Sequence, residues 1–412
     1  MTCSDTRAQG QSCCAPEQAT ASADSIEILA ATDAARSGPE HVLVPTAYNA
    51  ILLASFGGPE GQDDVIPFLR NVTRGRGIPE ERLEQVATHY RAFGGISPIN
   101  DQNRELKAAL EAELAARGID LPVLWGNRNW SPYLKDALTE ANERGYTRLI
   151  AIGTSAYSSY SSCRQYREDY AEALETTGLL GTIQIDKVRQ FFDHPGFVQP
   201  FIDGTRAALA EISAQGIPAS KTHVLFSTHS IPSTDAAKSG PDFREFGAGG
   251  AYQAQHLAVA EVVMAAAQAE GSVESIGWDL VFQSRSGPPT TPWLEPDVND
   301  SITELASKGI TAIVIVPLGF VSDHMEVKWD LDTEAKATAD DLGILAIRVP
   351  TPGVHAAYVS GLIDLVLERR DGVPLAERPA LTELGPWYDV CRSGCCENGR
   401  LAFKPAISGV LP

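Results

Sequence analysis

Short apolar runs, each closed by turn-forming residues, alternate along this chain with segments in which apolar positions recur at helical spacing. The first run covers residues 50–56 and is followed by Gly57, Gly58 and Pro59. An apolar run that ends in Gly and Pro is typical of a buried strand entering a turn. Strands that alternate with helices of ten or more residues predict a parallel sheet covered by helices on both faces.

The alternation forms two similar halves that meet near residue 190. We expect an α/β fold of two Rossmann-like halves at residues 48–190 and 191–350, followed by a C-terminal helix and a cysteine-bearing tail at residues 351–412. The last helix is expected to pack back on the first half. The predicted strands lie at 50–56, 121–126, 148–153, 182–188, 224–226, 278–283 and 313–316. The predicted helices lie at 63–71, 79–90, 100–117, 131–144, 195–215, 252–270, 301–308 and 353–369.

Residues 1–47 are predicted to form a disordered leader, because they mix Ser, Ala, Thr, Gln and Gly with little periodicity. A secretory signal is not expected, since no basic stretch precedes an apolar core there. Mitochondrial presequences are poor in acidic residues, whereas this segment carries Asp5, Glu17, Asp24 and Glu27.

The formal net charge of the chain is -20. Nucleic acids and anionic membrane surfaces are bound through basic patches, so non-specific binding to either is not expected. The composition, 43% apolar and 21% charged, is ordinary for a globular protein. No apolar run reaches the roughly 20 residues of a membrane-spanning helix. We therefore expect a cytoplasmic protein without integral membrane association.

Two predicted strands run into polar turns that carry a histidine and a glutamate. His229 follows the strand at 224–226, and Glu326 follows the strand at 313–316. In an open α/β sheet, ligands bind just beyond the carboxyl ends of the strands. The two residues therefore predict a cleft that handles protons or a metal ion. His229, with an ordinary pKa of about 6.5, can accept a proton at neutral pH, and the alternative is a structural histidine.

A helix is predicted to begin after Asp323, and its acidic residues Glu326, Asp330 and Glu334 are spaced by four. This spacing places the three carboxylates, here called the acidic row, on one face of an α-helix. Carboxylates leading away from a strand end suit the relay of a divalent cation or of protons. The alternative is a capping box formed by Asp323 and Glu326, with the other two acids on a solvated surface.

Five segments of the chain match the signature of one known enzyme family. The two that carry the candidate residues read Ser-Thr-His-Ser-Ile-Pro at 227–232 and Gly-Phe-Val-Ser-Asp-His-Met-Glu-Val at 319–327. The other three read Ser-Phe-Gly-Gly-Pro at 55–59, Phe-Gly-Gly-Ile-Ser-Pro at 93–98 and Phe-Gln-Ser-Arg at 282–285. Together they closely resemble ferrochelatase, in the family's order over roughly residues 48–370. The family fold, two Rossmann-like halves with a porphyrin cleft between them, agrees with the predicted elements.

The resemblance implies insertion of Fe2+ into a porphyrin with loss of two pyrrole protons. It implies that His229 accepts a proton or delivers the metal and that Glu326 is its partner, with the order of proton transfer left open. Asp330 and Glu334 would extend the relay. The implied substrate contacts are Phe56, Arg74, Tyr90, Ser97 and Tyr160. Some relatives carry Tyr at the position of Phe56, which can pack against the ring but cannot ligate a metal.

Four cysteines lie outside the predicted leader, namely Cys163, Cys391, Cys395 and Cys396. Disulfides are not expected in a cytoplasmic protein. Four thiolates suit a structural zinc ion or a 2Fe–2S cluster, and unliganded thiols are a third alternative. The resemblance implies the 2Fe–2S cluster, since a subset of ferrochelatases carries one on an internal cysteine and three near the C-terminus. The adjacent Cys395 and Cys396 must then direct both sulfurs to one site.

Residues 60–64 are polar where membrane-associated relatives carry an apolar lip. With the cysteine layout, this favours the tetracarboxylate coproporphyrin III as the substrate, with protoporphyrin IX as the alternative. A monomer is expected, with transient contact to other enzymes of haem biosynthesis. A porphyrin or haem carrier without turnover is the alternative of a different class, and the presence of both His229 and Glu326 favours the enzyme.

Overall fold

The computed structural model of the protein has two separate parallel sheets, each with four strands in the part of the chain that it describes. Helices connect and flank the strands. The described residues are 41–241, 244–268, 275–287, 290–392, 395–397, 404, 406–407 and 409–410. The α/β fold of two similar halves predicted from the apolar pattern is confirmed.

In the first half, the strands pair in the order β2–β1–β3–β4. These strands, β1 to β4, span Ala50–Ser55, Val123–Asn127, Arg148–Gly153 and Gln184–Lys187. Helices α1 to α5 span Val65–Val72, Glu80–Ala92, Ile99–Ala116, Leu134–Glu143 and Gln165–Thr177, and a first π-helix spans Tyr160–Arg164. Leu53 packs in one apolar core and Leu52 in another, so both faces of β1 are buried. This explains why its sequence is continuously apolar rather than alternating.

In the second half, the order is β6–β5–β7–β8. These strands, β5 to β8, span Thr222–His229, Gly277–Gln283, Ala312–Val316 and Leu345–Arg348. Helices α6 to α11 span Pro195–Ala214, Ser233–Ala237, Gly250–Ala267, Val298–Ser307, Lys336–Asp341 and Ala356–Asp371, and a second π-helix spans Val327–Ala335. In the tail, β9 at Cys391–Arg392 pairs in parallel with β10 at Gly409–Val410.

In both sheets the strand order changes direction at the first strand of the half. The second strand of each half lies on one side of the first strand, and the third lies on its other side. A crevice opens at the carboxyl ends of the strands at such a switch point. In the second half this point lies between β5, whose last residue is His229, and β7, whose following loop leads to Glu326. The sheet order therefore brings the two predicted residues together.

Most predicted elements are found within a few residues of their expected bounds, but β8, α5, the short helices α7 and α10 and the two-residue strands of the tail were missed. The four residues of β8 are all only partly buried, so the strand lacks the apolar run that marks its neighbours. Helix α5 buries polar residues such as Arg167 and Glu168, so its buried positions do not form an apolar pattern at helical spacing. The end of the helix predicted at 252–270 lies outside the described residues.

The predicted leader lies outside the described residues as far as residue 40. Residues 41–47, which the prediction included in the disordered leader, are instead attached to the C-terminal region by hydrogen bonds of Val42 and Thr46. Val42 is buried, and its backbone contacts Asp389 and Arg378 at 2.8 and 3.1 Å. The Thr46 amide donates to the carbonyl of Arg370 at 2.7 Å.

Helix α11 returns to the first half, as predicted, and packs between α3 and α6. Two buried ion pairs attach it to the segment around the end of β4. Arg189 pairs with Glu368 at 2.8 Å, and Arg369 pairs with Asp186 at 2.7 Å. Removing one partner of such a pair leaves the other charge buried and unpaired, which lowers the free energy of unfolding by about 3–5 kcal/mol. These contacts join the C-terminal helix firmly to the first sheet.

Within the described residues, no helix combines the length and the apolar character needed to cross a membrane.

Candidate active site

His229 is fixed at the end of β5 by contacts on both its backbone and its ring. Its carbonyl accepts a hydrogen bond from the Tyr252 hydroxyl at 2.8 Å. Its Nδ1 donates to the Ser230 carbonyl, which directs Nε2 toward Glu326. The Nε2 and Oε1 atoms of the two side chains are 3.5 Å apart. With side-chain exposures of 31% and 47%, both members of the pair are only partly covered by the protein, so a ligand can reach them.

The loop that presents Glu326 is anchored through Asp323. The Asp323 carboxylate pairs with Arg348 of β8 at 3.0 Å and accepts from the Thr351 hydroxyl at 2.9 Å. Its backbone amide donates at 2.7 Å to Gln102 of α3, in the first half. The capping-box alternative is therefore wrong, because the Asp323 side chain is bound to β8 and its following loop. The loop is instead held by both halves of the protein.

Asp330 and Glu334 lie on the second π-helix, which Glu326 immediately precedes, and not on the α-helix that the spacing of the acidic row predicted. Backbone hydrogen bonds in a π-helix join residues five apart, as where the Lys336 amide donates to the Leu331 carbonyl. Side chains four apart are then no longer stacked as they are in an α-helix. The charges at Glu326 and Glu334 nevertheless both act on Asp330, so the three carboxylates remain neighbours. Turns of π-helix occur frequently at functional sites.

Asp330 is held by two residues at the end of β6. The Ser284 hydroxyl donates to its Oδ2 atom, and the side-chain amide of Gln283 donates to the same atom at 3.3 Å. Ser284 has a φ of 61°, a left-handed conformation that non-glycine residues seldom adopt and that is concentrated at functional sites. Gln283 also donates to the Glu326 carbonyl at 3.0 Å. The end of β6 thus supports both the start and the middle of the acidic row.

His229 and Glu326 form an imidazolium–carboxylate pair at neutral pH. Burial disfavours the charged imidazole, but the Glu326 carboxylate outweighs it and raises the pKa of His229 to about 9. Burial also disfavours the charged carboxylate, yet the imidazolium lowers the pKa of Glu326 to about 2. The pair therefore already holds one proton, on His229. The ordinary histidine pKa assumed from the sequence does not apply here.

Asp330 is the member of the acidic row that titrates near neutral pH. Burial raises its pKa to about 7, helped by the charges of Glu326 and Glu334 and opposed by the hydrogen bond from Ser284. A group whose pKa lies near the operating pH is the most effective at giving and taking protons. Asp330 is thus placed to exchange protons beside a pair that already holds one.

Two of the predicted substrate contacts form an aromatic wall in the first half. Phe56 follows β1 and is 38% exposed. Its ring contacts Phe68, which in turn contacts Tyr90, with centroid separations of 6.4 and 5.8 Å. Burial, followed by the charges of Glu326 and Asp330, raises the pKa of Tyr90. Tyr90 therefore faces the acidic row from the opposite half of the protein.

The other three predicted substrate contacts also belong to the first half. Ser97 and Tyr160 are buried in the first half, and the Tyr160 hydroxyl donates to Glu168 at 3.1 Å. Arg74 lies on the exposed turn after α1, where it donates to Asn71 at 2.5 Å. Their assignment as substrate contacts stays a prediction.

Several residues at the site were not assigned from the sequence. Gln283 and Ser284 belong to a segment that carried the resemblance, but only the pairing of β6 with β5 shows that they lie beside His229. His324 accepts a hydrogen bond from the Glu326 amide at 3.1 Å. Trp329 and its partners in the first half had no sequence signal, because they meet only after the two halves are assembled.

The four cysteines outside the leader form one buried cluster. Cys163 lies in the first π-helix, and the other three come from the tail. The sulfurs of Cys395 and Cys396 are 3.7 Å apart. Cys396 has a φ of 58°, and this left-handed turn allows consecutive side chains to reach the same side of the chain.

Positive charge surrounds this cysteine cluster. A hydrogen bond from Cys395, together with the charges of Lys187 and Arg167, outweighs burial and lowers the pKa of Cys391 to about 5. Arg167 and Lys187 are themselves buried. Across the described part of the chain, no three His, Cys, Asp or Glu side chains are arranged as ligands of one metal ion.

Comparison with known proteins gives a consistent assignment. The family model described as ferrochelatase matches residues 48–370. The protein named coproporphyrin III ferrochelatase from Leifsonia xyli subsp. xyli is 70% identical over 93% of this chain and 100% of its own length. Proteins of the same name from Tropheryma whipplei and Streptomyces griseus are 56% and 52% identical, over 93% and 89% of this chain and 98% and 97% of their own lengths.

Among solved structures, SirB from Bacillus subtilis with Fe3+ aligns with 81% of this chain and 100% of its own, at a TM-score of 0.45 and 11% identity. That distant likeness carries no functional argument. The family match spans both halves and every residue of the acidic row. The chain therefore belongs to the ferrochelatase family.

Proposed function

We propose that this protein is a coproporphyrin III ferrochelatase, which inserts Fe2+ into coproporphyrin III with release of two protons. The single observation that carries the proposal is the arrangement of His229, Glu326 and Asp330 at the switch point of the second sheet. The highly identical relatives that bear this name support the choice of substrate. The substrate ions and the ring would meet between the acidic row and the aromatic wall.

The chemistry requires a site that removes protons while it admits a cation. Two N–H protons leave the ring as Fe2+ enters, so the charge of the porphyrin core is unchanged by the exchange. A flat ring hides its nitrogen lone pairs, and binding contacts away from the centre can offset the strain of bending it. Phe56 and Tyr90 of the aromatic wall offer such contacts, and the buried Phe68 supports both rings from behind.

Protonation of the His229–Glu326 pair links proton release to cation entry. The pair holds one proton at neutral pH, and it must lose this proton before His229 can accept another from the ring. Fe2+ approaching Glu326 would disfavour the imidazolium, because a nearby like charge lowers the pKa of a cationic acid. Asp330, with a pKa of about 7, would take up the released proton. Glu334 would continue the row away from the pair.

The choice of porphyrin rests on polarity at the edge of the site. Residues 60–64 include Gln62 and Asp63, both exposed, and Glu60, which pairs with Arg104. Such a surface favours a ring with four carboxylates over the more apolar dicarboxylate protoporphyrin IX. The exposed guanidinium of Arg74 would be a carboxylate partner, because its fork matches that geometry.

An anaerobic assay with Fe2+ and either porphyrin tests this function. We expect metalloporphyrin formation, followed by the change in visible absorption, with kcat/KM at least about tenfold higher for coproporphyrin III. A preference for protoporphyrin IX would overturn the substrate assignment. Tight binding of either porphyrin without any turnover would instead identify a carrier.

We further propose that the four cysteines hold a 2Fe–2S cluster. Four thiolates are the usual ligand set of such a cluster, and these four sulfurs lie together. The Gly240 amide donates to the Cys396 sulfur at 3.1 Å, and Arg167 and Lys187 supply positive charge that favours thiolates. When bound, the cluster would supply a one-electron redox centre. Cys163 would tie it to the first half and the other three to the tail.

Replacing Cys396 with serine is expected to abolish the cluster. The purified variant should lose visible absorption that dithionite bleaches and should contain less than about one tenth of the parent's iron and acid-labile sulfide, because one of four thiolate ligands is gone. Cys13→Ser, in the predicted leader, is the matched control and should retain the parent spectrum. Stoichiometric zinc without sulfide in the parent protein would point to the alternative of a structural zinc ion.

A further inference from the structure

An aromatic contact joins the acidic row to the first half. The indole of Trp329, on the second π-helix, stacks on the imidazole of His89 from α2, with centroids 4.0 Å apart and planes within 7°. Phe93, just after α2, meets the same indole edge-on at 6.5 Å. Burial lowers the pKa of His89, so the imidazole is neutral at neutral pH and the stack adds no charge to the site. These three residues form an aromatic clasp between the two halves.

The clasped indole also holds the outer end of the acidic row. Its Nε1–H donates to the Glu334 carboxylate at 2.8 Å. Trp329 and Glu334 are five residues apart, which places them on neighbouring turns of a π-helix. In an α-helix they would point about 140° apart and could not meet. The π-helix therefore makes this hydrogen bond possible.

Other contacts fix the backbone of the second π-helix independently of the indole. Asp332 pairs with Lys328 and Arg348, each at 2.5 Å. Gln283 secures the carbonyl of Glu326 at the start of the helix. Loss of the indole N–H alone should therefore release the Glu334 side chain and leave the helix in place.

We propose that Trp329 is a positioning residue for Fe2+ entry, which, held by the aromatic clasp, aims the Glu334 carboxylate along the acidic row. Glu334 is exposed, and an exposed glutamate without a donor distributes among several rotamers. A fixed carboxylate at the outer end of the row meets an arriving hard cation in one orientation. The inference rests on the proposed function of the acidic row.

The variant Trp329→Phe tests the hydrogen bond, because it keeps an aromatic ring against His89 and removes the donor. We expect KM for Fe2+ to rise about fivefold to tenfold, with kcat and KM for coproporphyrin III within about twofold of the parent values. Glu334→Gln should raise KM for Fe2+ at least as much. The double variant should be no worse than Glu334→Gln alone, since the two residues act through one contact.

Two further variants separate positioning from general packing. Thr333→Val removes another hydrogen bond between residues five apart in the same helix, from the Thr333 hydroxyl to the Lys328 carbonyl at 3.0 Å. It holds no member of the acidic row and should leave KM for Fe2+ unchanged. His89→Leu keeps the indole donor but removes the stack, and should raise KM for Fe2+ by a smaller factor than Trp329→Phe. Circular dichroism and thermal melting establish that each variant is folded.

The possible results distinguish this proposal from the function on which it rests. If Glu334→Gln raises KM for Fe2+ and Trp329→Phe does not, the positioning role is overturned and the acidic row stands. If neither variant changes KM for Fe2+, both the proposed relay through Glu334 and the positioning role of Trp329 are overturned. A Trp329→Phe enzyme with equal losses in kcat and in both KM values would show a general structural role and would overturn the proposal.

Discussion

Replacing His229 with alanine is expected to lower kcat for metalloporphyrin formation by about 10²- to 10⁴-fold, the range found when a general acid–base group is removed. The imidazole is the group that holds the proton of the pair, and its Nε2 lies 3.5 Å from Glu326. Without it, Glu326 loses the cation that lowers its pKa, and the ring has no adjacent imidazole to accept a proton. The measurement is the anaerobic initial rate at saturating Fe2+ and coproporphyrin III.

A second histidine on the same strand provides the matched control. His223 lies near the opposite end of β5 and pairs with Asp279 at 2.8 Å, so it reproduces the histidine–carboxylate pair away from the site. His223→Ala should retain kcat within about twofold, as expected for a substitution far from the reacting groups. A His229→Ala enzyme with the parent rate would overturn the assigned mechanism.

Replacing Glu326 with glutamine is expected to move the pH dependence of the reaction as well as to slow it. In the parent protein only neutral His229 can accept a proton, so kcat/KM for Fe2+ should rise with pH and level off above about pH 9. The substitution removes the charge that raises the pKa of His229, while burial still lowers it. The rising limb should therefore move to pH 6.5 or below, the ordinary histidine value. The rate on the plateau should fall by about 10²-fold or more, because the carboxylate that attracts the cation is gone.

Asp279→Asn is the control for this experiment, because it removes the carboxylate of the other histidine pair on β5. Its pH profile should coincide with that of the parent. A Glu326→Gln enzyme whose rising limb stays near pH 9 would show that His229 does not control the limb. In that case Asp330, with a pKa of about 7, could not be the source either, and a group on the substrate would have to be considered.

The electrostatics of the site change how the reaction is best described. From its residue type, His229 was expected to be neutral and ready to accept a proton at neutral pH. Next to Glu326 it is already protonated, and Asp330 is the group that titrates near neutrality. Entry of Fe2+ and departure of a proton are then opposite sides of one exchange at the pair. This view predicts that protons compete with Fe2+, which the pH dependence of kcat/KM measures directly.

The strands and the division into two halves could be predicted from the sequence because buried positions are occupied by apolar residues. A strand covered on both faces, such as β1 or β7, must be apolar throughout. Strand β8 shows no such pattern, because all four of its residues are only partly buried. Helix α5 was missed for a related reason, since it buries charged residues that are paired within the fold.

The π-helix under the acidic row could not be predicted from spacing. Acidic residues four apart are what an α-helix would show, and the apolar positions do not distinguish the two forms. The register depends on contacts made elsewhere, including Gln283 at the end of β6 and Arg348 on β8. Gln283 is 43 positions from its partner Glu326, and Arg348 is 16 positions from its partner Asp332. Long-range anchors of this kind carry no local signal.

By itself, the sequence determined the α/β class, the two halves, and the residue types at two strand ends, because apolar runs and turn residues are set by local burial and backbone preference. Only the tertiary structure decided that β5 and β7 are adjacent, that His229 and Glu326 form an imidazolium–carboxylate pair, and that Trp329 meets His89. Each of these depends on distances between residues far apart in the chain. Charge coupling and stacking act over a few ångströms, so they exist only once the two halves have assembled.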